Sequence, residues 1–175
     1  MSRNTLIVGG GAAGLMAAIA AADCGDQVTL LEKNDRLGRK ILISGNGRCN
    51  MLNNNSDHIH FHGSDPNFAR NALGVLSVEE TMAFFHDLGI ETRVENRGRV
   101  FPASNQASSV VRLLEDRANR AGIKIVYSAD AAELHNKDSF LVRTTEGRDF
   151  HADRVIMTTG GTSAPSIGGS DVGIR

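Results

Sequence analysis

Three glycines and one acid carry the clearest chemical signal in this chain. Gly9-x-Gly11-x-x-Gly14 follows the apolar run Leu6-Ile7-Val8 and opens an alanine-rich stretch, and Glu32 ends the next apolar run, Val28-Thr29-Leu30-Leu31. In a strand–turn–helix of this spacing the first glycine allows the tight turn, the second lets the backbone approach a pyrophosphate, and the third lets helix and strand pack closely. Bare N–H groups and the positive end of the helix dipole then receive the phosphate charge. A carboxylate at the position of Glu32 accepts hydrogen bonds from both hydroxyls of a ribose and repels a 2′-phosphate. Glycine-rich turns without a ligand are common, so the flanking elements and the acid carry the reading. Together they point to an adenine dinucleotide without saying which one.

A second cluster runs from Gly38-Arg39-Lys40 to Ser44-Gly45-Asn46-Gly47-Arg48-Cys49-Asn50. Small residues alternate there with hydrogen-bonding ones, which suits a loop pressed against a flat polar ligand. Arg39, Lys40 and Arg48 could offset phosphate charge, or be incidental basic residues of a solvated turn. Beside Arg48 the thiolate of Cys49 could be favoured, and Cys49 is also a candidate catalytic residue that could donate a proton to a substrate carbon receiving hydride. The competing and preferred role for Cys49 is a small packing residue, and Cys24 reads as packing too. His58, His60 and His62 would share a face on a strand, yet no cysteine completes a ligand set and Asp57 and Asp65 are ordinary loop residues, so no metal site is expected. His86 reads as structural. Arg93, Arg97 and Arg99 form a small basic cluster in which Arg99 could anchor an anionic group; with one Tyr and no Trp for base stacking, it reads first as a solvated face.

The elements that must position these residues follow from periodicity. Residues 6–8 and 28–31 read as buried parallel strands, residues 12–24 as a helix stopped by Gly25, and the three together as a βαβ unit. Residues 33–65 carry few periodic signals. Helices are expected over residues 66–73 and 78–88, the latter with Met82, Phe85 and Leu88 on an apolar face, and over residues 107–121 after Ser104. Strands are expected over residues 90–94, 99–101, 123–127 and 154–158, with an antiparallel meander between the last two over residues 132–136, 140–145 and 149–152.

At 175 residues, 41% apolar and 22% charged, the chain falls in the range of one soluble domain. Lys+Arg 19 against Asp+Glu 20 gives no global pull toward nucleic acid or anionic membrane. The two cysteines make no CxxC pair, and free thiols fit a reducing cytoplasm. Arg3, the apolar run over residues 6–22 and Ala20-Ala21-Ala22 imitate a secretory signal, but three adjacent glycines and the acidic strand end fit a strand–turn–helix better. The same run is short and glycine-broken for a membrane span, so no membrane association is expected.

Gly9-Gly10-Gly11-Ala12-Ala13-Gly14-Leu15-Met16-Ala17-Ala18, Leu31-Glu32-Lys33-Asn34, the block from Gly38 to Asn50, Gly98-Arg99-Val100-Phe101-Pro102-Ala103-Ser104 and Thr159-Gly160-Gly161 together resemble the BaiN/RdsA-type flavoproteins. These are NAD(P)/FAD-dependent oxidoreductases, sometimes labelled aminoacetone-oxidase-like. The resemblance covers essentially the whole chain, and the block over residues 38–50 is specific to that group. It implies an α/β Rossmann-type FAD-binding domain, glutathione-reductase-like, with a parallel sheet and an antiparallel meander. FAD is then the tightly held dinucleotide and NAD(P)H the electron donor. The implied substrate is unsaturated or carbonyl-conjugated: a small molecule, with RNA left open because the family has been linked to steroid-like enones, small amines and uridine in ribosomal RNA.

By the same resemblance Gly9, Gly11, Ala12, Ala13 and Gly14 meet the pyrophosphate and Glu32 the adenosine ribose. Lys33, Arg39 and Lys40 lie along the adenosine and phosphate side, and Ser44, Gly45, Asn46, Gly47 and Arg48 beside pyrophosphate and flavin. Asp130 and Ala131 come near adenine, while Thr159, Gly160 and Gly161 approach the FAD from the end of the last strand. Two departures stand out. The family continues past this length with an inserted substrate domain and a C-terminal glycine-rich segment. Gly168-Gly169-Ser170-Asp171-Val172-Gly173 also differs from its usual Gly-Ser-Thr-Gly-Asp-Gly pattern. Residues 1–175 are therefore expected to be an incomplete FAD/NAD(P)-binding domain, from a truncated reading frame or an excised fragment. The rivals are a plain NAD-binding dehydrogenase domain and a non-catalytic nucleotide-binding fragment.

Overall fold

Leu6, Ile7, Val8, Leu30 and Leu31 are almost wholly buried, as short apolar runs must be when parallel strands are covered on both faces. The computed structural model describes residues 2–56, 58–65 and 67–161; Asp57, Pro66 and the segment over residues 168–173 lie outside the described residues. In chain order the elements are β1 (Asn4–Val8), α1 (Ala12–Asp23), β2 (Gln27–Leu31), α2 (Arg39–Gly47), β3 (Leu52–Asn53), α3 (Arg70–Val75) and α4 (Val78–Asp87). They continue as β4 (Thr92–Val94), β5 (Arg99–Pro102), α5 (Ala107–Arg120), β6 (Lys124–Val126), β7 (Ala131–Asn136), β8 (Phe140–Thr144), β9 (Asp149–Ala152) and β10 (Arg154–Met157). They fall into two compact units, Met1–Ile41 with Leu114–Arg175, and Leu42–Leu113.

The first unit is built on a parallel sheet in the order β10-β1-β2-β6. Register aligns Val8 with Leu31 and Met157, and Leu31 with Val126, so all four strands end level. The open end of such a sheet, beyond the carboxyl ends of its strands, is where ligands bind in doubly wound folds. α1 buries Gly14, Leu15, Ala18 and Ile19, the one-face spacing of a helix laid on a sheet. Downstream, β7, β8 and β9 form the expected antiparallel meander, with a bulge between Ala131 and Glu133. Leu6, Val8, Leu31, Ala129, Val142 and Ala152 make a common core, so sheet and meander share buried surface.

The second unit holds the antiparallel sheet β3-β5-β4. Here the sequence reading needs correction. Residues 39–47, taken as part of an aperiodic stretch, contain α2, helical until Ser44 (φ −62, ψ 144) breaks it; three apolar residues in sequence, Ile41-Leu42-Ile43, had too little length to show a period. The helix expected from residue 66 begins at Arg70. α4 is closed by a capping box in which Ser77 and Glu80 bond each other's backbone, and Met82, Phe85 and Leu88 are half-buried as expected. Strand β4 is shorter than expected. Residues 58–60 form a 3₁₀ turn, so the alternating histidines have no strand face to share. Among the described residues no group of His, Cys, Asp and Glu is placed to hold a metal, and no helix is long and apolar enough to cross a membrane.

Candidate dinucleotide-binding site

At the open end of the parallel sheet, the turn after β1 does three different things with its glycines. Gly9 donates its N–H to Leu31 O (2.8 Å) and sits at φ +107. A Cβ there would come within 2.6 Å of the Thr158 carbonyl oxygen. A Cβ on Gly14 would lie 1.8 Å from Gly9 O, so this glycine is what lets α1 pack on the turn. Gly11 differs: a Cβ there would meet nothing within 4 Å. It is the N-cap of α1, no side chain caps it, and no acid occupies the first turn. The first intrahelical bond runs from Leu15 N to Gly11 O (3.0 Å), which leaves the amides of the first turn without helical partners. Ala12 and Ala13, which follow it, are exposed. The turn is therefore tight on its protein side and open where an anion would approach.

Two residues of this turn escaped the sequence reading. Gly10 is wedged, since a Cβ would stand 2.3 Å from Leu37 Cδ2 and 2.9 Å from Glu32 Oε2. Thr158, rather than its neighbour Thr159, ties β10 to the turn, its hydroxyl donating to Val8 O and Gly9 O at 2.9 Å each. Three consecutive glycines hinted at the first; nothing in the sequence singled out the second.

Glu32 is 6% exposed at the end of β2. Its Oε2 accepts the Gly10 N–H (2.8 Å), and its Oε1 accepts both the backbone N–H of Asn34 (2.8 Å) and the Asn34 carboxamide (2.5 Å). Arg39 donates to Asn34 Oδ1 at 2.7 Å, so its guanidinium is directed to the amide beside the acid. Lys40 donates to Gly161 O (3.4 Å) and stands 3.1 Å from the Cβ position of Gly160, joining two stretches of the expected site that lie 121 residues apart. Lys33 is exposed. On the β6 side Ser128 N donates to Asn34 O (3.1 Å) and Ala129 N to Glu32 O (2.9 Å), which brings the start of β7, with Ala131, to the same end of the sheet. Nearby, Tyr127 donates to Glu115, and its pKa is pushed up to about 12, by burial first and then by that carboxylate. Sequence reasoning had no signal for Tyr127.

Within the second unit, residues 44–50 turn back on themselves. Gly45, Asn46, Gly47 and Cys49 all have left-handed φ (58, 58, 79 and 62). A Cβ on Gly45 would come within 2.8 Å of the Phe101 ring. Arg48, one of the basic residues that could offset phosphate charge, grips Glu95 with both terminal nitrogens (2.9 and 3.2 Å) and lies 4.0 Å over the face of Phe101. Arg93 donates to the same carboxylate and to Asn105 (3.0 and 3.1 Å), which accounts for one member of the basic cluster as an ion-pair partner. Arg48 hydrogen bonding holds the Glu95 carboxyl below the usual carboxylate range. Glu95 was not foreseen, because only the fold brings it to a residue 47 positions away.

Burial works against a thiolate at Cys49. The side chain is 5% exposed, and burial pushes the thiol up, against a smaller opposing effect of a hydrogen bond from Ser44. Arg48 points its charge at Glu95, so sequence adjacency confers no stabilisation of a thiolate. Burial suits the packing role preferred for Cys49 on sequence. Cys24 is corrected in the other direction: it is exposed, at the C-cap of α1.

Comparison with known proteins places this geometry. The chain is 43% identical over 169 residues to the 3-dehydro-bile acid delta(4,6)-reductase of Clostridium scindens, covering 95% of this chain and 41% of that protein. It is 27% identical over 176 residues to a ribosomal RNA dihydrouridine synthase of Haemophilus influenzae, covering 98% of this chain and 44% of the relative. The chain thus spans about two fifths of the length of these relatives. Among solved structures, the 3-ketosteroid-delta4-(5alpha)-dehydrogenase of Rhodococcus jostii RHA1 shares the fold, with TM-score 0.60 at 15% identity over 91% of this chain and 46% of that one. The expected Rossmann-type FAD-binding architecture, four parallel strands plus antiparallel strands, is the one observed. The model of the HI0933-like protein Rossmann domain matches residues 3–175, and the chain belongs to that family, the one the sequence motifs resembled.

Proposed function

We propose that the first unit binds FAD by its ADP half and that the chain is the nucleotide-binding part of a flavin-dependent oxidoreductase. The observation that carries this is the contrast at one turn: a Cβ at Gly9, Gly10 or Gly14 would strike protein atoms within 3 Å, while at Gly11 there is open space beside bare first-turn amides. Those amides would hold the pyrophosphate, Glu32 the adenosine ribose, and Lys40 with Gly160 and Gly161 would flank the phosphates. The acidic strand end, in place of a basic residue, excludes a 2′-phosphate at this position. Bound FAD would supply hydride transfer; the protein's part is to orient the cofactor and keep its charge compensated.

NAD(P)H as the electron donor and an unsaturated or carbonyl-type small molecule as substrate belong to the same proposal. The reductase relative at 43% identity supports a small molecule over RNA, since the dihydrouridine synthase relatives stand at 27% and 25%. Two free cysteines suit a reducing compartment. The test is to strip the chain of nucleotide, add FAD, and follow the melting temperature and the flavin absorbance of the re-isolated protein. Binding at 100 times Kd should stabilise the protein by about 2.7 kcal/mol. A plain NAD-binding domain would respond to NAD instead and stay colourless, and no response to either nucleotide would end the proposal.

A further inference from the structure

The hydrogen bonds around Glu32 number more than the sequence reading allowed for, and they restrict what the acid can do. An ionised carboxylate offers about four acceptor positions. Asn34 fills both on Oε1, with its backbone N–H at 2.8 Å and its carboxamide N–H at 2.5 Å. Gly10 N fills one on Oε2 at 2.8 Å. One position remains, on the oxygen that also touches the phosphate-binding turn. Asn34 is itself held: its Oδ1 accepts from Arg39 at 2.7 Å, its backbone carbonyl accepts from Ser128 N at 3.1 Å, and rotating the carboxamide by half a turn would set Oδ1 against the carboxylate.

We infer that Asn34 is a positioning residue which, with Arg39 fixing its orientation, saturates one oxygen of Glu32 and leaves the other to receive a single ribose hydroxyl. Selection of the adenosine ribose is then monodentate, and Arg39 acts on the sugar through Asn34. This rests on the proposed nucleotide site and deepens it. It replaces the expectation that Glu32 takes both hydroxyls, because three of its acceptor positions already have donors.

The experiment uses the full chain and ligands without flavin: ADP-ribose, and its analogues lacking the 2′- or the 3′-hydroxyl of the adenosine ribose, each titrated by calorimetry. The unsubstituted protein should bind one deoxy analogue about tenfold more weakly than ADP-ribose and the other within about twofold, the loss of one charge-assisted hydrogen bond. Asn34→Ala should weaken ADP-ribose about three- to tenfold and erase the difference between the two analogues, while Asn34→Ser, which keeps a side-chain donor, should restore much of it. A merely structural role for Asn34 would weaken all three ligands alike and leave their ratio intact. Equal losses for both analogues in the unsubstituted protein, or an unchanged ratio in Asn34→Ala, overturn the inference while the nucleotide site stands. Failure of the unsubstituted protein to bind ADP-ribose at all overturns both.

Discussion

Residues 9–14 and residues 44–50 are two glycine-rich turns that look alike in composition and are built for opposite ends. In the first, glycines remove side chains, so that first-turn amides are left open toward solvent and an acid is fixed at the rim. In the second, left-handed glycines and two non-glycine residues in the same conformation let the chain fold back and satisfy its own polar groups, with Arg48 locked onto Glu95 and Phe101. Glycine content therefore says that the backbone comes close to something. Whether that something is a ligand or the protein itself depends on where a Cβ would point, and on which charges already have partners.

The sharpest way to break this comparison is Gly14→Val. Its Cβ would sit 1.8 Å from a backbone oxygen, so we expect a loss of about 3 kcal/mol or failure to fold, read by urea unfolding. Native-like stability would mean that the turn is looser than described. Next in size, Arg48→Ala should lower stability by about 2 kcal/mol through lost stacking on Phe101, with Arg48→Lys recovering little because an ammonium cannot make the two-pronged contact with Glu95. If Arg48→Ala instead leaves unfolding unchanged and weakens only nucleotide binding, the second turn is a ligand cradle after all.

Gly11→Ala should give the reverse pattern. Open space and an ordinary φ of −80 predict a stability change within about 0.5 kcal/mol, while ADP-ribose affinity falls about tenfold because the new methyl stands where a pyrophosphate would approach. A smaller effect follows pH. The Glu95 carboxyl is held low in the folded protein, chiefly by hydrogen bonding to Arg48, so its stabilising contribution is present above the unfolded carboxylate pKa of about 4.3 and is lost as pH falls through its lower folded value. The acid-side drop in melting temperature should be shallower in Glu95→Gln, and identical profiles would contradict the pairing. Last, a thiol reagent should label exposed Cys24 well before buried Cys49; equal rates would show Cys49 to be open to solvent.

Much of the first unit was legible in the sequence, because its signals are local. A strand ending in glycine, a helix of alanines and a second strand ending in an acid are each readable within a few residues, and their order dictates a right-handed parallel crossover. The meander was legible for the same reason, through its two polar turns. Less was visible in residues 33–75, where α2 has no repeat of its period to reveal it and the first turn of α3 lies later than the composition suggested.

What the sequence determined by itself was the class of fold, the glycine turn that opens α1, and the acid beside it, since each depends on residues adjacent in the chain. Only the tertiary structure decided how the charges are partnered. Arg48 meets Glu95, Arg39 meets the amide that holds Glu32, Lys40 reaches Gly161, and burial rather than a neighbouring cation sets the state of Cys49. Electrostatic partnership falls off over a few ångströms in space and takes no account of distance along the chain, so it is the one property of a site that folding alone assigns.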